Sequence, residues 1–151
     1  MDGIQRIKLR FIKLREQAKT PAYGTEFAAG ADLYACLDKP LTIAAGKTEF
    51  VPTGLAMEIP AGTAGLIYAR SGLACKRGVA PANKVGVIDS DYRGEIIVAL
   101  HNHSDGDITL ESGERVAQMI ITPYFHAEYE EAQELDDTAR GAGGFGSTGA
   151  R

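Results

Sequence analysis

The sequence predicts an all-β domain, either a sandwich, a barrel or a jelly roll, with at most one short helix. Many short apolar segments have the composition of β-strands, and turn-forming residues recur between them. Helical periodicity is almost absent, and no internal repeat of fixed period is present. The 151 residues match the length of one domain that can bury its own core.

The first half of the chain contains four strand candidates. Apolar and basic residues alternate over residues 7–11, which predicts a half-buried first strand. A short strand follows at residues 29–35 and holds a single acid, Asp32. Turns at a proline and at a glycine then flank a strand at 41–43. In the longer strand at 48–59, alternate residues are expected on one face, namely Thr53, Leu55, Met57 and Ile59.

The second half continues the same pattern and holds the only helix that we expect. A strand at 64–68 leads into residues 69–76, which can form a short helix. Further strands are predicted at 85–88, 96–100, 108–110, 114–121 and 125–129.

The segment from Asn83 to Glu95 joins two of these strands and places polar groups at its tip. Its pattern of β-branched residues, a run of turn formers and a second apolar run predicts a β-hairpin or a tight strand-to-strand turn. An exposed carboxylate such as Asp89 can accept a proton from water when a substrate excludes solvent. Tyr92 can lay its ring against a sugar or a base. Alternatively, this is a solvated turn in which Asp89 and Asp91 cap their own backbone.

Composition excludes several classes of function. A net charge of −4 and a pI of about 5.4 do not indicate binding to a nucleic-acid duplex. Cys36 and Cys75 are too few for a zinc site or a disulfide framework, which favours a reduced, cytoplasmic setting. His101 and His103 are expected to be solvated turn residues. Neither a signal peptide nor a run long enough to span a membrane is recognised.

Besides the Asn83–Glu95 segment, three groups in the first 135 residues could carry chemistry. Arg70-Ser71-Gly72 combines a fixed cation, a hydroxyl and a close backbone approach, which suits a phosphate, although an ordinary loop would look the same. Gln118 lies in an apolar strand, either as a functional amide or as a core amide bonded to backbone. Asp32 either caps a turn or serves a metal-bound water or a functional arginine.

The glycine-rich tail differs in composition from the rest, so we divide the chain into a domain at 1–135 and an arm at 136–151. Glycine-rich runs are often linkers. This one also contains a single aromatic ring, Phe145, with Arg140 before it and Ser147-Thr148 after it. A ring that stacks on a flat ligand would suit a lid.

Five stretches together resemble the five motifs of the trimeric dUTP pyrophosphatase family, in the family's order and over nearly the whole chain. They are residues 29–34, 70–74, 83–95, 113–118 and 140–149. One departure is Ala69, where members of the family often have proline before the arginine. That change affects a turn and no catalytic role.

The resemblance implies a distorted jelly-roll subunit in a homotrimer with shared sites, which hydrolyses dUTP to dUMP and pyrophosphate with Mg²⁺. Such an enzyme keeps uracil out of DNA and supplies dUMP for thymidylate synthesis. Asp89 would activate the attacking water, and Tyr92 would exclude a 2′-hydroxyl. Asp32 would support the metal's water shell. The implied substrate-binding residues are Arg70, Ser71, Gly72 and Gln118 for the phosphates, Asn83, Gly86, Val87 and Ile88 for uracil, and Arg140, Phe145, Gly146, Ser147 and Thr148 in the arm.

Two other functions deserve comparison. A dCTP deaminase shares the fold but needs an acid near C4 of the base, whereas the sequence after Asp89 has the pyrophosphatase-like form. A nucleotide-sensing protein would not need the full set of candidate catalytic groups that this chain carries. Release of ammonia from dCTP would indicate a deaminase, and absence of any turnover of dUTP would indicate a nucleotide-sensing protein.

Overall fold

The computed structural model describes residues 3–144 and consists of short strands with one helix. The elements are β1 (Arg10–Lys13), β2 (Ala22–Tyr23), β3 (Ala31–Tyr34), β4 (Leu41–Ile43), β5 (Thr48–Glu58), β6 (Thr63–Tyr68), α1 (Ser71–Arg77), β7 (Val79–Pro81), β8 (Gly86–Ile88), β9 (Glu95–Asn102), β10 (Ile108–Leu110) and β11 (Arg115–Pro123). The predicted all-β class with one short helix is confirmed. No helix among residues 3–144 is long and apolar enough to cross a membrane.

The strands form three antiparallel sheets. The first has the order β1-β5-β9-β7, the second pairs β10 with β4, and the third has the order β2-β3-β11-β6-β8. None of them closes on itself within residues 3–144, so the described strands do not form a closed barrel. The four-stranded and five-stranded sheets contribute to one apolar core, whose fully buried side chains include Leu33, Leu55, Ile96, Leu100 and Val116.

The Asn83–Glu95 segment connects two sheets and is not a β-hairpin. β8 pairs with β6, whereas β9 pairs with β5 and β7. Of the two predicted alternatives, the tight strand-to-strand turn is therefore correct. The sequence pattern describes each strand locally, but it does not reveal with which strand each one pairs.

The predicted alternation in β5 fails because both faces of the strand are buried. Residues 53–57 are all buried, including Gly54, which has a left-handed φ of 69°. Pairing with β9 shifts register between Pro52 and Ala56. A Cβ at Gly54 would lie 2.7 Å from the Cys36 sulfur, so glycine is required there by both conformation and space.

Two predictions at the ends of the domain are wrong. β1 covers only residues 10–13 and is exposed along its whole length, rather than half-buried from residue 7. No strand is present at 125–129, where the side chains of Phe125 and Tyr129 are 99% and 98% exposed. An aromatic residue favours a strand only where a neighbouring strand offers a surface to pack against.

Candidate active site

A row of side chains crosses the outer face of the five-stranded sheet. Gln118 on β11 lies opposite Asp32 on β3 and opposite Tyr68 on β6. Paired residues of antiparallel strands point to the same face, so these three side chains are neighbours. Arg70 follows two residues after Tyr68. Register thus brings Arg70 and Gln118, two of the four residues predicted to hold phosphates, close to Asp32.

Asp32 is a buried carboxylate held by two arginines. Its Oδ1 accepts a 2.6 Å hydrogen bond from Arg70 Nε, and its Oδ2 accepts one of 3.4 Å from Arg115 Nη1. The Asp32 side chain is only 11% exposed, compared with 24% for Arg70 and 54% for Arg115. A buried charge needs such partners. The interpretation that Asp32 serves an arginine agrees with this geometry, and the turn-cap alternative does not.

Gln118 ties β11 to the residue that precedes Arg70. Its Nε2 donates a 2.9 Å hydrogen bond to the Ala69 carbonyl. A Cβ at Gly30 would lie 2.5 Å from Gln118 Oε1, so glycine at that position leaves the space that the amide occupies. The Gln118 side chain is therefore fixed by backbone on both sides. We refer to Asp32, Arg70, Arg115 and Gln118 as the Asp32 cluster.

Arg115 is the member of this cluster that the sequence did not single out. Strict alternation would place Arg115 and Gln118, three residues apart, on opposite faces of β11. The register with β3 shifts between Arg115 and Ala117, so Arg115 lies opposite Tyr34 and shares a face with Asp32. A bulge of this kind redirects a side chain. No local sequence signal marks it.

A cleft of about 350 Å³ adjoins the cluster. Arg70 and Arg115 line it on one side, together with the start of α1 and the turn before β11; the other lining residues are Tyr34, Gly72, Leu73, Arg77, Gly113 and Glu114. Arg77 donates to Glu114 Oε2 at 2.7 Å and to the Thr109 carbonyl at 2.6 Å. The cleft therefore carries more positive than negative groups.

Ser71 and Gly72 are exposed at the start of α1, next to this cleft. A Cβ at Gly72 would meet no atom within 4 Å. Packing among the described residues therefore does not explain a glycine there, and close approach of a ligand to the backbone would.

β8 presents an unpaired edge. It is the last strand of its sheet and pairs only with β6 among the described strands, so one side of Gly86–Ile88 offers free N–H and C=O groups. Asn83 precedes it, and its Nδ2 would lie 3.4 Å from a Cβ at Gly86. The predicted base-binding residues are thus adjacent, in this edge strand and just before it.

Tyr92 is held by its own turn. Its hydroxyl donates a 2.9 Å hydrogen bond to the Glu95 carbonyl, and a Cβ at Gly94 would lie 2.6 Å from the ring carbon Cζ. The ring therefore packs directly against Gly94, yet the residue remains 43% exposed. This arrangement fixes one side of the ring and leaves the other available.

Asp89 and the Asp32 cluster lie at opposite ends of neighbouring strands. Asp89 follows Ile88, which pairs with Gly65 near the start of β6, whereas Arg70 follows Tyr68 at the end of β6. Gly65 and Tyr68 alone are about 10 Å apart at 3.3 Å per residue. Asp89 is also exposed. Within one chain, the candidate base and the cluster of arginines are therefore separated along the strands and are not in direct contact.

Only residues 136–144 of the arm lie among the described residues. Arg140 is exposed, and its Nε donates to the Gly143 carbonyl at 2.8 Å within the same turn. Phe145, Gly146, Ser147 and Thr148 lie outside the described residues.

Burial perturbs the cysteine beneath the sheets. Cys36 is 1% exposed, and its removal from water raises the pKa of the thiol. Both cysteines are free thiols. The rings of His101 and His103 form a T-shaped pair with centroids 4.4 Å apart, and His101 Nδ1 shares a 2.9 Å hydrogen bond with the Thr48 hydroxyl.

The family model and the similar sequences all indicate the same family. The model of the dUTPase family matches residues 16–149. A deoxyuridine 5′-triphosphate nucleotidohydrolase of Desulfitobacterium hafniense is 50% identical over 145 residues, which cover 95% of this chain and 96% of the relative. The enzyme of the same name from Hahella chejuensis is 43% identical over 146 residues, with 96% of each chain covered.

Comparison with solved structures gives the same fold. A dUTPase of Staphylococcus bacteriophage 80alpha, solved with dUPNHPP, superposes with a TM-score of 0.86 at 25% identity and covers 95% of this chain and 99% of its own. A mutant dUTPase of phage phi11, described as coordinating a structural Mg(II) ion, has a TM-score of 0.78 at 21% identity and covers 87% of this chain and 100% of its own.

Proposed function

Because the chain belongs to the dUTPase family and is therefore an enzyme that hydrolyses dUTP, we propose that Asp89 activates the attacking water while the Asp32 cluster holds the phosphates. The products are dUMP and pyrophosphate, formed by attack on the α-phosphorus. This reaction removes dUTP before it enters DNA and supplies dUMP for thymidylate synthesis.

The observation that carries the proposal is the buried Asp32 between two arginines. Arg70 uses its Nε for Asp32, and its terminal nitrogens have no hydrogen-bond partner among residues 3–144, so they remain free for phosphate oxygens. Ser71, the Gly72 backbone and Gln118 complete the phosphate contacts. Donors that are already fixed stabilise developing charge without reorganisation during the reaction.

The Asn83–Glu95 segment would bind the nucleoside. The free edge of β8 and Asn83 would supply fixed donors and acceptors to the edge of uracil, and a fixed pattern of this kind can reject cytosine. Tyr92, fixed against Gly94, would pack against deoxyribose and leave no room for a 2′-hydroxyl. Asp89 comes directly after this strand, so its carboxylate can accept the proton of a water next to the bound nucleotide.

The available side chains fit a magnesium ion that is held mainly by the substrate. Residues 3–144 contain no group of three or more His, Cys, Asp or Glu side chains that could hold a metal. Both oxygens of Asp32 accept from arginine, so Asp32 would reach the ion through water. Mg²⁺ typically keeps several waters and binds substrate phosphates. When bound, it would offset the charge of the triphosphate.

We further propose a homotrimer whose sites are shared between chains. The separation of Asp89 from the Asp32 cluster supports this, because one nucleotide must contact both. Apolar side chains around the Asn83–Glu95 segment are exposed, including Val87 at 60% and Ile97 at 44%. Apolar surface of this kind is typical of an interface.

The arm would close over the bound nucleotide. Phe145 would stack on uracil, while Arg140, Gly146, Ser147 and Thr148 contact the phosphates. Removal of residues 140–151 should then abolish most activity without lowering the melting temperature of the free protein. A large loss of thermal stability would instead make the arm a structural element.

Pyrophosphate release from dUTP, compared with UTP, dCTP and dTTP, tests the proposed specificity. We expect strong preference for dUTP, and no ammonia from dCTP. Equal rates with dCTP would contradict recognition of the uracil edge, and equal rates with UTP would contradict the role of Tyr92. Cytoplasmic location is proposed from the two free thiols.

A further inference from the structure

Among the described residues, the Arg115 side chain forms its hydrogen bond with Asp32 and with no other member of the Asp32 cluster. Its Nη1 donates to Asp32 Oδ2 at 3.4 Å, while Arg70 Nε donates to Oδ1 at 2.6 Å. The two arginines therefore hold the carboxylate from both of its oxygens. A carboxylate fixed at both oxygens cannot rotate freely, so the Arg70 side chain that binds it is fixed as well.

The charge count gives Arg115 a second effect. Arg70 and Asp32 alone would form a neutral pair. Arginine stays protonated, so with Arg115 the three groups carry two positive charges and one negative charge, a net charge of +1. Arg115 thereby offsets the charge of Asp32, which leaves more of the charge of Arg70 available to attract a phosphate.

The bulge in β11 is what makes this contact possible. Without the register shift between Arg115 and Ala117, Arg115 would point to the core face, where Ala117 and Leu33 are fully buried. The fold thus departs from regular pairing at the position that turns an arginine toward Asp32.

We propose that Arg115 is a positioning residue that acts through Asp32 to fix Arg70 for the terminal phosphates of the substrate. This inference rests on the proposed function, since it assigns the Asp32 cluster to phosphate binding. Arg115 then affects the affinity of the pyrophosphate portion and not that of the nucleoside portion.

The test measures the binding of pyrophosphate and of dUMP separately, by calorimetry on the full chain at a fixed Mg²⁺ concentration. For Arg115→Gln we expect about a tenfold loss of pyrophosphate affinity, as for a lost hydrogen bond to a charged group, and an unchanged affinity for dUMP. Arg115→Lys, which keeps the charge, should recover most of the loss.

Arg77→Gln is the matched control. It removes the same charge from the same cleft, but Arg77 is bonded to Glu114 and Thr109 rather than to Asp32. We expect its pyrophosphate affinity to stay within about twofold, because the charge of Arg77 is already offset by Glu114 and the side chain makes no bond to Asp32. An equal loss in both variants would overturn the inference, since it would indicate a general charge effect.

The action through Asp32 is tested in an Asp32→Asn background. In that background, Arg115→Gln should lower the pyrophosphate affinity further by less than about threefold, because the effects of residues that act through one another are not additive. A full tenfold loss of pyrophosphate affinity in both backgrounds would mean that Arg115 contacts phosphate directly, and it would overturn the inference. An equal loss of dUMP affinity would overturn it as well. A wild-type protein that releases no pyrophosphate from dUTP would instead contradict the proposed function.

Discussion

The Asp32 cluster and the Asn83–Glu95 segment are stabilised in opposite ways. Hydrogen bonds in the cluster join residues that are 38, 49 and 83 positions apart in the sequence. Side-chain hydrogen bonds in the segment are local, such as Tyr92 to Glu95 and Arg93 to Ser90, each three positions apart. Asp32 is buried and Arg70 and Gln118 are half-buried, whereas most of the segment is exposed.

This difference separates two tasks within one protein. The cluster is assembled by tertiary structure, so under the proposed function its arginines are already held by Asp32 when the substrate binds. The segment keeps its own shape but offers an open strand edge and an exposed acid. A water-activating carboxylate needs surroundings that exclude solvent. The segment therefore requires a second surface, and a neighbouring chain and the arm can provide it.

Loss of the exposed acid should have the largest effect. Asp89→Asn should lower kcat about 10²–10⁴-fold, as expected for a general base, while binding of a non-hydrolysable dUTP analogue is nearly unchanged. Steady-state kinetics and calorimetry measure the two effects. Asp91→Asn is the control, because it removes the same charge two residues away on the same exposed turn. Similar losses in both variants would argue against a specific role for Asp89.

A smaller effect should follow from moving the Tyr92 ring. Tyr92→Ala removes the ring, and Gly94→Ala displaces it because the new Cβ would lie 2.6 Å from Cζ. Both should lower the ratio of kcat/KM for dUTP to that for UTP by about tenfold, since an added hydroxyl is then accommodated. Gly106→Ala, where a Cβ meets nothing within 4 Å, should leave the ratio unchanged. If Gly94→Ala also leaves it unchanged, another residue excludes the 2′-hydroxyl.

The two regions also differ in how far sequence could describe them. Asp32 and Gln118 were correctly assigned to strands, because their apolar neighbours define the pattern. The contact of Asp32 with Arg115 depends on a bulge, and alternation alone would place Arg115 on the wrong face. The Asn83–Glu95 segment was correctly predicted as strand, turn and strand, since its signals are local. That its two strands join different sheets depends on long-range pairing.

Long-range contacts that the sequence pattern does not reveal also explain the wrong predictions at residues 125–129 and in β5. The pattern from Phe125 to Tyr129 has the residue types of a strand but no partner, and both rings are exposed. In β5, left-handed Gly54 interrupts the alternation that the sequence suggests. The roles of the site residues came from the resemblance to a family rather than from any pattern of spacing.

The smallest effect is expected from Cys36 in the apolar core. Its replacement should change the pH dependence of stability and not the chemistry of the site. Burial raises the pKa of the Cys36 thiol above its ordinary value of 9.0. The folded state therefore favours the protonated thiol, and this contribution to stability is present below the unfolded pKa and is lost as the pH rises through the folded pKa. Urea unfolding should show a steeper loss of stability above about pH 9 in the wild type than in Cys36→Ala. Identical pH profiles would contradict this.

The central claim is that the Asp32 cluster of one chain acts with Asp89 of another. Its most direct test mixes Asp89→Asn with Arg70→Ala, each nearly inactive alone, and refolds them together in equal amounts. A whole site then takes its cluster from an Asp89→Asn chain and its acid from an Arg70→Ala chain. Random mixing in a closed homo-oligomer predicts that about a quarter of the sites regain activity. Mixed oligomers with no more activity than the separate variants would show that cluster and acid come from the same chain, and would contradict the claim.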